Sequence, residues 1–477
     1  MKTTKLEKNT MILMIGSILS QVITILVSLV ITRLYSVSAI GSWSVYLSLI
    51  SVISCLVGLK YENAIVLPEK DEDAVNVLLL SVASVVAFSV LAFFIVRSGN
   101  ADLYAYFERQ GIAQVADLIP ISLLGAGLFQ VFNYWCVRKQ QFASVALRNV
   151  INSSASGFAE IILGATMVFG QEGVVIGSVA GTLLAGAFIA LMSVCKNWRL
   201  IKGSISIRRI CHNAKRYKKF PLFSTWSALL NQLSSTMATF ILAYVFNKEV
   251  VGYFSIAQQV LSIPMTFIGN AVGQAFYSET IHAQRANTLD KLLKRVVSLL
   301  VGVGFVPMAL ITICAPELCE FVYGIGWETA GVYIRILMPW LLLVFIVSPI
   351  TVMFDALQKQ KQFLLFNAII FAMRCIALLV GGKTGNVTIT LALYSAVGFI
   401  HFVFVGMYIL HISKCSFYAM LKTIGATIVN MSLKYLIVPL ILVVVVPLPI
   451  AKVAVCVLYG IVFLILEGKR LKNGMGI

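Results

Sequence analysis

Charge is what this chain has least of. Only 12% of its 477 residues are Asp, Glu, Lys or Arg, against 60% apolar ones, and the mean hydropathy is +0.94. Soluble domains carry about twice that charged fraction, so a soluble enzyme is excluded. Acids are scarcer still, 19 against 37 bases, and there are four His. No GxxxxGK[ST] phosphate loop occurs, which removes ATP as a direct energy source. No zinc-finger, RNP or helix-turn-helix spacing occurs either, so the net charge of +18 does not point to nucleic acid. The nine Cys lack metal-ligand spacing; Cys55, Cys136, Cys314, Cys375 and Cys456 sit in or beside apolar runs as small hydrophobes, and the basic-loop pair Cys211-His212 is too little for a metal.

Long apolar runs take the place of the missing charge. About fourteen have the length at which a helix crosses lipid, from residues 11–32 through 149–169 and 424–446 to a short last one at 450–466. With the N-terminus placed in the cytoplasm, alternate loops collect 28 Lys and Arg on that side and 5 on the other. Such a bias puts both termini in the cytoplasm.

The chain repeats itself. Residues 34–35 and 40–44 (Leu-Tyr, then Ile-Gly-Ser-Trp-Ser) match 245–246 and 251–255 (Val-Phe, then Val-Gly-Tyr-Phe-Ser) at an offset of 211. Arg138-Lys139-Gln140-Gln141-Phe142 matches Lys359-Gln360-Lys361-Gln362-Phe363 at an offset of 221. Two copies of six spans predict an all-α polytopic membrane protein: a bundle at 1–195, a basic cytoplasmic linker at 196–219, a second bundle at 220–412, and two accessory helices with a cytoplasmic tail at 413–477. Internal repeats of this kind mark transporters whose binding site lies between the copies near the bilayer midplane.

Polar residues recur at helical spacing inside the spans. Gln21 in the first, Asn152 in the fifth, Asn231 in the seventh, and Gln258 and Asn270 in the eighth each stand in a row of Ser, Thr and amide side chains on one face. Such faces line a wet cavity or a helix interface; the amides favour a hydrated, sugar-compatible cavity. Charges inside spans are few: Glu160, Arg335, Arg374, Lys434 and Lys452. A charge at the centre of a span costs roughly 2.5–3.5 kcal/mol unless it meets a partner or water. Arg374 stands near mid-span, whereas Arg335 and the two lysines are close enough to an end to snorkel. Glu160 is the lone deep acid and suits either ion coupling or a structural salt bridge. At the end of span two, Glu62 is placed to partner Lys60 or Arg148. Asp71-Glu72-Asp73 has the acid-x-acid spacing of some metal-dependent glycosyltransferases, but reads more simply as a solvated charge run. His401 reads as a packed core residue, and Pro264, Pro307, Pro339 and Pro349 as kinks.

Residues 60–65 (Lys-Tyr-Glu-Asn-Ala-Ile), 251–259 running into Pro264 and residues 269–271, and 326–331 (Gly-Trp-Glu-Thr-Ala-Gly) resemble Wzx-type polysaccharide repeat-unit flippases of the multidrug/oligosaccharidyl-lipid/polysaccharide exporter superfamily. Lys60 stands where Arg is more usual, which keeps the charge and loses the bidentate fork. The resemblance implies two bundles in a V shape in the bacterial inner membrane. It implies carriage of undecaprenyl-diphosphate-linked oligosaccharide to the periplasmic leaflet for O-antigen or capsule assembly, with membrane lipid and other polysaccharide assembly proteins as partners. Arg374, Arg335 and Arg148 would attract the diphosphate or acidic sugars, and H+ or Na+ would be the coupling ion, with no other cofactor. The alternatives are a multidrug antiporter or lipid II flippase of the same superfamily and, in another class, a membrane-embedded glycan polymerase. The polymerase is disfavoured because the longest outer loop, residues 97–117, holds no paired carboxylate with a histidine.

Overall fold

The computed structural model describes residues 5–269, 272–273, 276, 279–280, 283–284, 286–357, 359–446 and 448–474. Helices and turns account for all regular structure among them, with no strand. The chain is a multi-pass membrane protein that divides into two compact units, 1–252 and 253–477.

In unit one the helices are α1 (Lys5–Leu34), α2 (Val37–Val57), α3 (Asp71–Val96), α4 (Ala101–Arg109), α5 (Ile119–Arg138), α6 (Phe142–Thr166), α7 (Gly173–Lys196), α8 (Trp198–Ser204), α9 (Ile207–Arg216) and α10 (Thr225–Val245). The following α11 (Lys248–Pro264) contains the boundary between the units. Starts are set by local polar side chains: the Ser36 hydroxyl accepts from the Ala39 N–H ahead of α2, and Asn100 accepts from Asp102 and Leu103 ahead of α4. α6 lies between α1 and α7, and α7 also meets α5. The α6–α7 approach depends on Gly177 and Gly181, a small-x-x-x-small pair, because a Cβ on either would collide with α6 backbone at Glu160 or Ser156. Across the α1–α6 seam Ser20 hydrogen-bonds to Ser153 and to the Asn149 carbonyl, so these hydroxyls, next in sequence to Gln21 and Asn152, are spent on packing.

In unit two, α12 (Leu289–Ile313), α13 (Ala315–Tyr323), α14 (Glu328–Val347), α15 (Met353–Ala356), α16 (Gln360–Gly382) and α17 (Val387–Ile412) precede α18 (Phe417–Tyr435), α19 (Ile437–Val445) and α20 (Pro449–Gly474). α17 packs on both α14 and α16. The last three helices are fastened to α12 by a buried cluster of Val306, Leu310 and Cys314 with Met431, Tyr435, Val443, Cys456 and Phe463. Pro264 ends α11 and leads into a π-helical turn, Met265–Gly269, while Pro307 and Pro339 lie within α12 and α14.

Among the described residues twelve helices are long and apolar enough to span a bilayer, and the pair α18 and α19, bent by 49°, raises this to 13 if it crosses as one. The remaining member of the fourteen expected spans is α6. Its 25 residues form a helix of about 38 Å, but Arg148, Asn149, Asn152, Glu160 and several Ser keep it outside an apolar criterion.

Candidate functional site

Charge within and at the ends of the spans falls in separate places, each built differently. In unit one, α2 ends at Gly58, and Leu59 and Lys60 turn the chain in left-handed conformation (φ 50° and 56°) into a 3-10 helix, Tyr61–Val66. That turn folds Glu62 back beneath the helix end. Its side chain is 1% exposed and 3.5 Å from the Lys60 Nζ, itself 11% exposed. The carboxylate lies so close to Gly58 that a Cβ there would strike it, and its Oε2 has no protein hydrogen-bond partner. Burial pushes the Glu62 carboxyl above its usual range, opposed by its own backbone hydrogen bond and by Lys60. Glu62 thus pairs with Lys60, one of the two partners its position allowed, and not with Arg148.

Arg148 enters on α6 and is buried. Its guanidinium lies 3.8 Å over the Phe129 ring of α5, donates to Asn149 Oδ1 at 2.7 Å and makes a longer bond of 3.4 Å to the Phe129 carbonyl. One turn on, Asn152 shares its helix face. Arg148 Nε and Asn152 Oδ1 are both buried without a protein partner, so a polar ligand on this face would find one donor and one acceptor unspent. Glu160, two turns further and 4% exposed, packs at Gly177 of α7, and its backbone carbonyl accepts the Tyr35 hydroxyl at 2.8 Å. It makes no ion pair among the described residues.

In unit two, Arg374 on α16 is held by rings. Its guanidinium carbon is 4.6 Å from the Trp340 centroid and 5.4 Å from that of Tyr394, and those two rings meet edge to face at 5.2 Å. Arg374 Nε and Trp340 Nε1 are buried without a protein partner. Neither Arg148 nor Arg374 has an ion pair among the described residues. Arg335 differs. It donates from Nε to the Thr312 carbonyl at 3.0 Å and from Nη2 to Ile313 at 2.7 Å, capping the C-terminus of α12, and lies 3.7 Å from Glu317, which Lys452 also approaches at 3.6 Å.

Among the amides, Gln21 and Gln258 are half-buried, Asn231 is exposed, and Asn270 lies outside the described residues. His401 meets Phe366 and Phe402 edge-on, as a packed residue would. The acidic run is solvent-exposed, with Asp71 and Glu72 46% and 52% exposed, and it is also engaged: Asp71 binds Arg138 and Lys139, Glu72 binds Arg209, and the Asp73 carbonyl accepts from Asn213. Trp340, Tyr394 and Phe129 were not foreseen, because in a chain that is 11% aromatic no spacing singles them out.

A family model described as "Polysaccharide biosynthesis protein" matches residues 30–331, more than half of the chain. No curated protein sequence matches. Among solved structures the fold matches a lipid II flippase, MurJ, in an inward closed conformation, with a TM-score of 0.70 at 14% identity over 96% of this chain and 98% of that one. It also matches an inward-facing multidrug resistance MATE transporter of the MOP superfamily, with a TM-score of 0.61 at 18% identity over 84% and 96%. A further match is a MOP superfamily transporter from Pyrococcus furiosus described as having a binding pocket of reversed polarity, with a TM-score of 0.57 at 16% identity over 87% and 99%. These are folds of transporters and flippases, not of enzymes, and the chain belongs to the polysaccharide biosynthesis protein family.

Proposed function

We propose that the protein is a flippase that moves undecaprenyl-diphosphate-linked oligosaccharide repeat units from the cytoplasmic to the periplasmic leaflet of a bacterial inner membrane, for O-antigen or capsular polysaccharide. The observation that carries this is the state of Arg148, near the start of α6, and Arg374, near the middle of the apolar α16: two guanidinium groups, each seated on aromatic faces, neither joined to a carboxylate among the described residues. A cation–π contact returns about 0.5–2 kcal/mol, less than the roughly 2.5–3.5 kcal/mol that a mid-span charge costs. An anionic headgroup would supply the difference. Arg suits a diphosphate through its planar donors, and the unspent amides suit a glycan whose hydroxyls cannot enter hydrocarbon without hydrogen bonds. Lipid II and drug carriers share the fold, so the choice of substrate class rests on the family.

In this reading the bundles at 1–195 and 220–412 alternate in access about the linker at 196–219, driven by H+, Na+ or membrane potential. Glu160 is the coupling acid, and Gln21, Asn152, Asn231 and Gln258 line the path with Lys60 and Glu62 at its entrance. Arg335, occupied as a helix cap, is left out. The test is export in cells lacking the native flippase. Arg374→Ala should abolish surface polysaccharide at normal protein level and leave the lipid-linked intermediate in the inner leaflet, with Arg374→Lys in between. Full export from both variants would reject a substrate role.

A further inference from the structure

The two repeats end differently at the start of their third long helix. In unit one Asp71 opens α3 and receives Arg138 at 3.0 Å and Lys139 at 2.6 Å; Arg138 also donates to the carbonyls of Ile65 and Pro68, so one guanidinium fills the space between loop and helix. In unit two the matching acid is Asp290, the second residue of α12, and the residue matching Arg138 is Lys359. Lys359 makes no ion pair with it: among the described residues Asp290 pairs with Lys294 on the same helix, at 3.8 Å. Where the first copy is plugged, the second holds a cavity of about 650 Å³ walled by Asn287, Asp290, Lys359, Ser413 and Lys414. Lys359 and Lys414 make no ion pair among the described residues.

The geometry points to a phosphate-binding site in this cavity. Two ammonium groups with amide and hydroxyl side chains beside them match a group that offers several anionic oxygens, and with Asp290 already facing Lys294 the wall stays net positive. The volume lies in the range that holds a small ligand or a lipid headgroup. The cavity opens at the end of the unit where the basic loops gather, the level at which anionic headgroups lie. The source of the phosphate is either a phospholipid or a soluble phosphate ester. The lining includes neither Arg148 nor Arg374, and the site's existence does not depend on the flippase reading.

The experiment titrates the purified full-length protein with dioctanoyl-phosphatidylglycerol, glycerol 3-phosphate and phosphate-free dioctanoylglycerol. At least one phosphate compound should bind; preference for the lipid identifies a headgroup, and equal binding of glycerol 3-phosphate identifies a soluble ester. The double variant Lys359→Gln with Lys414→Gln should weaken binding about tenfold or more, the scale of one lost charge-assisted contact, while Lys359→Arg with Lys414→Arg should keep it. The proposal fails if neither phosphate compound binds, if dioctanoylglycerol binds equally well, or if the Gln variant binds as tightly as wild type. Should the double variant not fold, the single variants Lys359→Gln and Lys414→Gln take its place, and unchanged binding in both overturns the proposal.

Discussion

Glu62 shows how a single side chain can be arranged against its own preference. Its carboxylate is packed on Gly58 with one oxygen unpartnered and a single ammonium nearby, and burial raises its pKa. The native state therefore favours the protonated form, so this group's stabilising contribution is complete below the ordinary value of 4.5 and is lost as pH rises through the higher native value. Glu62→Gln stays neutral at every pH. The melting temperature of the variant in detergent, minus that of wild type, should climb as pH goes from 4 to 7; a difference that stays flat or falls would show that Lys60 offsets the burial in full. At this scale the sequence was informative where a residue was out of place. Arg374 and Glu160 stood out as charges in apolar runs, and Lys60 with Glu62 as a charged pair at a span end. The use of Arg335 was hidden, because it depends on the last carbonyls of α12 coming to rest beside α14, a tertiary contact that periodicity does not encode.

Among elements, the region at 196–219 departs most from a plain basic loop. It forms α8 and α9, and both pack on the start of α3. Asn76, fully buried, is the clasp: its Nδ2 donates to the carbonyls of Ser204 at 2.8 Å and Glu72 at 2.7 Å, and its Oδ1 accepts from the Ser206 N–H at 3.0 Å. Removing it strands backbone groups at the junction of the two helices, at about 1–3 kcal/mol for each one left buried. Asn76→Ala should speed tryptic cleavage at Lys202 and Arg208, and Arg209→Ala, which breaks only an exposed ion pair with Glu72, should not. Equal cleavage of Asn76→Ala and wild type would mean that the helices hold to α3 by packing alone. Charge counting marked these residues as a basic segment but not as docked helices, since the clasp is an amide 120 residues or more earlier in the chain. A similar gap exists beside the polar rows: helical spacing marked Gln21 and Asn152, but only the packing shows that their neighbours Ser20 and Ser153 meet each other.

For the whole molecule, span count and orientation stand or fall together. The twelve apolar helices, the polar α6 and the bent pair α18 and α19 make fourteen crossings if the pair passes through the bilayer as one. Fourteen is even, which returns the C-terminus to the side where it began. If the 49° bend instead makes the pair re-enter and exit on one side, thirteen crossings remain and the tail with Lys469, Arg470 and Lys472 emerges opposite the N-terminus. Charge favours the first arrangement, because 28 of the loop Lys and Arg, those three included, then share one side. Green fluorescent protein fused after Ile477 should therefore fluoresce, and alkaline phosphatase fused there should be inactive. Phosphatase fused after Arg109 should be active, and after Lys139 inactive, fixing the frame for α3 to α5. An active phosphatase at the C-terminus, with the two inner fusions behaving as expected, would assign the bent pair as re-entrant and overturn the even count while leaving the orientation of unit one in place.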